Sequence, residues 1–340
     1  MPPPVERPSF PGGGRYHRLG PALRRRFGQR IHKVTLRGGF GCPNRDGRIG
    51  HGGCRFCSAE ALLPASGPGC GPIADQLAAG LVAVERRVGA RAAVAYFQEG
   101  CATDAPIERL QGLLGEAIRH PQVVALSVGT RPDWLAPEAL DLLAELSRRK
   151  PVWLELGLQS ANDALLAAMN RGHDCATFCR TADRARAAGL EVIAHVILDL
   201  PGETDADRRA TAACLNRVAV SGVKVHNLHV LAGTPLAADW RAGRLRLADL
   251  ATYARMAADF LQWLDPAMVV HRLIGDGPAH LMRAPDWWRD KRRALAAVDA
   301  ALAAGDRWQG WCVERTAATL AGGPNSSISQ HFTADFPDRP

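Results

Sequence analysis

The stretch GGFGCPNRDGRIGHGGCRFCS, residues 38–58, gathers Cys42, Cys54 and Cys57 among Gly, Arg and Asn. Cys54 and Cys57 form a C-x-x-C pair, and eleven residues separate them from Cys42. Thiols in this pattern could do three kinds of chemistry. A structural zinc ion takes four ligands, usually from two such knuckles, and Cys70 in GPGCGP would complete the set. A dithiol redox pair wants its first cysteine at a helix N-terminus in a thioredoxin-like setting, which this sequence does not offer. An iron–sulfur cluster held by three thiolates leaves one iron open to a substrate or cofactor. The flanking glycines suit a cluster, because the backbone must wrap tightly and present N–H donors to its sulfurs. Zinc and iron–sulfur both remain open on the residues alone.

The elements that must position these thiols alternate regularly. Strands are expected at IHKVTL (31–36), AAVAYFQ (92–98), VVALSVGT (123–130), VWLELGLQ (152–159), EVIAHVILDL (191–200) and VKVHNLHVL (223–231). Helices are expected near 72–89, 105–119, 136–149, 161–188 with a break near Gly172, and 204–220. Short, almost continuously apolar strands separated by helices predict a parallel sheet with helical crossovers. Six such units make an open sheet or a barrel, and no G-x-G-x-x-G follows a strand to favour a dinucleotide fold. In a parallel barrel the chemistry sits at the strand C-termini. Those ends carry Gln98, Thr130 to Asp133, Gln159-Ser160, Asp199 to Glu203 and Gly233 to Pro235, and the three-cysteine loop follows the first strand on the same face. After residue 240 the alternation stops; a helix near 246–264, a short strand near 268–274 and a Trp-rich helix near 286–304 are expected to pack against the barrel. The organisation read is a basic segment 1–30, a barrel 31–240, a helical extension 241–318 and a loose tail 319–340.

Composition narrows the class. A chain of 340 residues with 47% apolar and 22% charged residues is that of a water-soluble globular protein. No run of about 18 apolar residues offers a membrane span, and MPPPVERPSFPGGG lacks a signal-peptide segment. Nine cysteines in no regular framework point to a reducing compartment, the cytoplasm by default. Residues 1–40 hold nine basic residues against one acid, Glu6, which accounts for the whole net charge of +8. Such a segment attracts polyanions, nucleic acid above all, or is simply a solvated Arg-rich face. An Arg-rich, acid-poor start also fits an organelle transit peptide, poorly matched by the Pro/Gly-rich first 14 residues.

The loop CPNRDGRIGHGGCRFCS closely resembles the cluster loop of the YhcC/YtqA-type radical SAM proteins, an elongator-like branch of the radical S-adenosylmethionine (SAM) superfamily. SVGTRPDWL, WLELGLQSANDALLAAMNRGH, AHVILDLPGET, VKVHNLHVLAGTPLA and LIGDGPAHL are similar to family segments, in family order, so the resemblance covers roughly residues 15–300. The long gap before the C-x-x-C departs from the superfamily's usual C-x-x-x-C-x-x-C and is this branch's own spacing. TRPD, ELGLQS, NRGH and DLPG are also shared in character with the elongator catalytic subunit, which modifies wobble uridines of tRNA. The acetyltransferase-like domain of that subunit has no counterpart here, so carboxymethyl addition by its route is not expected.

The resemblance implies an α/β fold, a partial (β/α)6 TIM-like radical SAM barrel with a helical C-terminal extension. It implies a [4Fe–4S] cluster on Cys42, Cys54 and Cys57, with SAM on the fourth iron. Reductive cleavage of SAM would give a 5′-deoxyadenosyl radical that abstracts hydrogen from substrate, with a reducing donor such as flavodoxin or ferredoxin. By position, Gln98, Glu155, Gln159 and Ser160 would lie near SAM's polar groups, Phe56 against the adenine edge, and Asp199 to Gly202 and Leu231 to Gly233 along the adenosine. Arg131 and Asp133 would orient substrate or brace the rim. One loop departs from the family: in YFQEGCATDAP the aromatic and hydroxyl residues expected after the second strand are mostly replaced, which puts substrate handling and the Gln98 contact in question. The expected function is modification of RNA, a tRNA wobble uridine first. The alternatives are radical chemistry on a small metabolite and a zinc-stabilised RNA-binding protein.

Other groups carry plainer readings. Cys175 and Cys179, at i, i+4 spacing, read as buried helix cysteines, Cys214 and Cys312 as core or incidental, and Cys70 and Cys101 as loop thiols that could serve as auxiliary ligands. His195, His226 and His229 are placed at inward strand positions as hydrogen-bonded core histidines. Trp287 and Trp288 beside Arg289, Lys291, Arg292 and Arg293 have the look of a nucleic-acid surface but read as a helix burying its tryptophans.

Overall fold

The computed structural model describes residues 6–58, 60–62 and 71–313. Cys70 and the tail 319–340 lie outside the described residues. Seven parallel strands run in the order β1-β2-β3-β4-β5-β6-β8: β1 Ile31–Leu36, β2 Ala92–Phe97, β3 Val123–Thr130, β4 Val152–Gln159, β5 Glu191–Leu198, β6 Gly222–Asn227 and β8 Val269–Arg272. They form a curled half-barrel with helices outside, the partial TIM-like barrel expected, extended by one strand. The pair β7 Val230–Leu231 and β9 Met282–Ala284 makes a small antiparallel ribbon. The sequence segment 223–231 is therefore two strands, parted at Leu228-His229 where the chain leaves the barrel wall.

The crossover helices follow the apolar periodicity: α2 Ile73–Val88, α3 Ile107–Arg119, α4 Pro137–Ser147, α5 Asp163–Ala168, α6 Cys175–Ala187 and α7 Asp205–Val218. Capping chemistry sets their starts at the barrel mouth. Asn162 accepts from the backbone of Ala164 and Leu165, Asp174 from Thr177, and Thr204 with Asp207 closes a capping box; each is worth about 1 kcal/mol. The helical pattern of 161–188 breaks where Asn170 and Gly172 take positive φ (53° and 79°), which throws Asn170 to His173 toward the cysteine loop.

The core lies between the sheet and this helical shell, with Leu36, Phe97, Leu126, Leu154, Phe178 and Leu215 fully buried. Beyond the barrel, α8 Pro235–Arg241 leads to α9 Leu250–Gln262 and α10 Lys291–Ala304. Trp287 precedes α10, stacks 5.0 Å from Tyr253 and donates to the Ala248 carbonyl, so this tryptophan is packed inward. The basic segment contributes α1 Leu19–Phe27. Its Leu23 packs with Ile31, Ala92, Trp153 and Ile193, residues at or near the first positions of their strands. Helix α1 therefore seals the N-terminal end of the barrel, opposite the cysteine loop.

Candidate active site

The cysteine loop leaves β1 and folds on itself before reaching α2. The Cys42 carbonyl accepts from Arg45 and Asp46, the Asn44 carbonyl from Gly53, and the Cys54 carbonyl from Cys57, turning C-x-x-C into one tight bend. Two glycines have no substitute. Gly53 sits at φ 82° with the Arg45 guanidinium where a Cβ would be, and Gly100, at φ 58°, approaches the Gly41 carbonyl so closely that a Cβ would lie 2.2 Å from that oxygen.

The segment after α5 clamps this loop. Asn44 donates to the Asn170 carbonyl at 2.7 Å and Asn170 to the Gly53 carbonyl at 2.8 Å; the Arg55 amide donates to Met169. Arg171 binds the Gly157 carbonyl and reaches the Cys54 sulfur at 3.5 Å, and Asn44 reaches the same sulfur at 3.6 Å. Arg131 forms a bidentate pair with Asp133 and donates to the Arg171 carbonyl. TRPD and NRGH are thus one brace around the cysteine loop.

Cys42, Cys54 and Cys57 open on one cavity of about 460 Å³ at the barrel mouth. Phe56, Gln98, Glu155, Gln159 and Leu231 line it with them, as does Arg131. Ser160 and Asp199 do not. Ser160 is buried beneath the β4 end, where its hydroxyl accepts from the Asn162 amide. Asp199, at φ 73°, accepts from the Ala248 amide at 2.8 Å, and burial pushes its carboxyl up to about 6. Cys101 is also outside the cavity, fully buried with its sulfur 3.0 Å from the Thr130 hydroxyl.

At the cavity floor Glu155, expected near SAM's polar groups, sits in a network whose partners Lys33, Ser127, Lys224 and Tyr96 the motifs did not single out. Glu155 is fully buried, and its two carboxylate oxygens are shared among four donors. Lys33 and Ser127 reach one oxygen, each at 2.5 Å; His195 (2.7 Å) and Lys224 reach the other. Lys224 also donates to the Tyr96 hydroxyl at 2.8 Å. Burial alone would raise the Glu155 carboxyl, but the Lys224 and Lys33 ammonium groups hold it well below the usual range. A lysine inside an otherwise apolar strand (IHKVTL, GVKVHN) was the available signal for the two cations. On the far wall His226 and His229 each present a buried Nε2 without a hydrogen-bond partner among the described residues. His229 lies past the end of β6, not on a strand, and burial lowers its pKa to about 4.

With Zn–S near 2.3 Å, sulfurs on one tetrahedral zinc stand about 3.8 Å apart. The one set of three such ligand atoms within 4.8 Å of one another among the described residues is Cys175, Cys179 and Cys214. The sulfurs of Cys42, Cys54 and Cys57 do not all lie within 4.8 Å of one another, and the three residues share one cavity. Burial pushes the Cys57 thiol up to about 11 and raises that of Cys42, so thiolates here need a cation's charge beside them. Arg131 Nη1 is buried without a hydrogen-bond partner among the described residues. The donor set fits an anionic iron–sulfur cluster.

The model of the Radical SAM superfamily matches residues 39–215, and that of the Radical_SAM C-terminal domain residues 220–304. The chain belongs to the radical SAM superfamily. It is therefore an enzyme whose cofactors are a [4Fe–4S] cluster and SAM, and it draws an electron from a reducing partner. It is 37% identical over 305 residues to the uncharacterized protein YtqA of Bacillus subtilis (strain 168), covering 88% of this chain and 94% of that one. It is 39% identical over 285 residues to protein YhcC of Escherichia coli (strain K12), covering 84% and 91%. Among solved structures, the archaeal Methanocaldococcus infernus Elp3 with an N-terminal deletion shares the fold: TM-score 0.57 at 16% identity, over 78% of this chain and 62% of that one. Among the described residues no helix is long and apolar enough to cross a membrane.

Proposed function

We propose that Cys42, Cys54 and Cys57 hold the [4Fe–4S] cluster and that SAM occupies the adjoining cavity. The opening of all three thiols on one cavity, in a chain of the radical SAM superfamily, carries this reading. When bound and reduced, the cluster with SAM supplies a 5′-deoxyadenosyl radical for hydrogen abstraction from substrate. Around it the chain's own residues orient and exclude water. Asn44 and Arg171 present N–H groups to the Cys54 sulfur, and Arg131 offers its free Nη1 to negative charge. Phe56 flanks the adenine, while Gln98, Gln159 and Leu231 contact SAM's polar and ribose portions. Ser160 and Asp199 are positioning residues, fixing the turns after β4 and β5. Glu155, saturated by four donors, holds Lys224 at the cavity and pairs with Lys33. The electron donor is a flavodoxin or ferredoxin.

The substrate reading is a tRNA uridine. The motifs shared in character with the elongator catalytic subunit and the common fold support it. One observation favours a second reading, a small polar metabolite. The Arg-rich helix α1 seals the end of the barrel opposite the cavity, and cations at the mouth are mostly spent on acids: Arg48 on Asp46 and Asp104, Arg55 on Asp239, Arg131 on Asp133.

Anaerobic reconstitution with iron and sulfide tests both levels. About four iron per chain and 5′-deoxyadenosine from added SAM are expected, with both lost in Cys42→Ala, Cys54→Ala and Cys57→Ala. Zinc in place of iron that is lost in Cys42→Ala, Cys54→Ala and Cys57→Ala, with no SAM cleavage, overturns the assignment of the cluster to these cysteines. Faster SAM cleavage with tRNA supports the RNA substrate; no salt-sensitive tRNA binding at all leaves the metabolite.

A further inference from the structure

Cys175, Cys179 and Cys214 lie outside the cavity, on the seam between α6 and α7. Cys175 and Cys179 stand one turn apart on α6, and Cys214 meets them from α7 with its sulfur 3.4 Å from each of theirs. All three sulfurs fall within 4.8 Å of one another. The i, i+4 pair, expected as buried helix cysteines, has a third partner 35 residues further along the chain. Sulfurs on one tetrahedral zinc are about 3.8 Å apart, so small side-chain rotations would admit an ion.

Two further features fit an ion better than apolar packing. Arg217, one turn beyond Cys214, donates from Nη2 to the Cys179 sulfur at 2.9 Å. Three thiolates around a divalent cation leave one net negative charge, and a single guanidinium cancels it while hydrogen-bonding a ligand sulfur. Cys179 and Cys214 are buried, whereas Cys175 is half-buried. The site thus has an entry path and an open side where water completes four-coordination.

We propose that Cys175, Cys179 and Cys214 bind a thiophilic divalent cation of the zinc type, with Arg217 as its charge-compensating neighbour. The ion joins the crossover after β4 to the crossover after β5. Helix α6 directly follows Asn170 to His173, so the ion also anchors the segment that clamps the cysteine loop.

Zinc chloride added to the anaerobically reconstituted protein, followed by desalting, tests this beside the iron count. About one zinc per chain should remain in that holoprotein and equally in the Cys42→Ala/Cys54→Ala/Cys57→Ala variant, so a failure of the cluster reading is separable from a failure here. Cys179→Ser and Cys214→Ser should lose it, and Arg217→Leu should weaken retention roughly 10- to 100-fold. Should a serine variant misfold, cobalt in the Cys42→Ala/Cys54→Ala/Cys57→Ala variant gives the second readout: a thiolate-to-cobalt charge-transfer band that zinc displaces and that Cys101→Ser leaves intact. Zinc retained in a folded Cys214→Ser variant, zinc found only when the cluster cysteines are vacant, or no thiolate–cobalt band overturns the proposal.

Discussion

The two ends of the barrel are built on opposite principles. At the mouth, irregular backbone dominates: Gln159, Asn170 and Asp199 take positive φ, arginines bind carbonyls and sulfurs, and the floor below is a network of buried charges. At the other end Leu19, Leu23 and Phe27 of α1 press on Ile31, Ala92, Val94 and Trp153, and the charges of α1 point outward. Sealing needs only apolar area, at roughly 25 cal/mol per Å². Holding an anionic cofactor needs fixed cations and N–H groups, whose desolvation the rest of the fold must offset. The arginines of α1 cluster at the sealed end, and the chemistry lies at the other.

Removing the charge at the centre of the floor is the most disruptive way to test this contrast. Glu155→Ala leaves Lys33 and Lys224 buried without their shared partner, a loss of about 3–5 kcal/mol for a broken buried pair. Urea unfolding should show it, and SAM binding should fall with it. A stability change under 1 kcal/mol would mean that water, not Glu155, solvates the two ammonium groups. The matching change at the sealed end is Leu23→Ala, a buried leucine whose loss costs roughly 3 kcal/mol. Here iron content and SAM cleavage by the folded protein should be unchanged, since nothing in α1 reaches the cavity. Impaired cleavage at full iron content would show that the two ends are coupled.

Acid should discriminate the ends as well. His229 is held neutral by burial, with a pKa of about 4 against an unfolded value near 6.5. The unfolded chain therefore binds the extra proton first. The contribution is complete above about pH 6.5 and is lost as pH falls toward 4, up to about 3 kcal/mol. The midpoint of urea unfolding of the apoprotein should drop across that window, and His229→Gln should flatten the part due to this ring. Leu23→Ala should leave the slope untouched.

Much of this was legible in the chain. The strands were visible because both faces of a parallel sheet are covered, so IHKVTL, VVALSVGT and VWLELGLQ read as mostly apolar runs. The break at Gly172 and the cysteine loop were visible because glycine marks backbone that other residues cannot adopt. The floor was harder to see. Lys33, Glu155, His195 and Lys224 are scattered over 192 positions, and only strand register brings them into one network. The thiol trio was hidden for the same reason: Cys214 becomes a neighbour of Cys175 only when α6 and α7 pack together. Helix α1 went unrecognised because its arginines mask a short apolar stripe, Leu19, Leu23 and Phe27.

That masked stripe leads to the smallest expected effect, which bears on the substrate. Within α1, Arg26 is committed to Glu191 through two hydrogen bonds, at 2.8 and 2.7 Å, and Arg18, just before it, to Asp299 at 2.6 and 2.7 Å. Arg24 and Arg25 are exposed. Arg24→Ala/Arg25→Ala should therefore change stability by no more than about 0.5 kcal/mol per site and leave basal SAM cleavage unchanged. If tRNA wraps from the mouth to this end, each arginine that neutralises a phosphate should lower the salt slope of binding by about 0.9. If the substrate is a small metabolite, the double variant should match the parent in every assay, and the cluster of positive charge on α1 is no more than the solvated face of a plug.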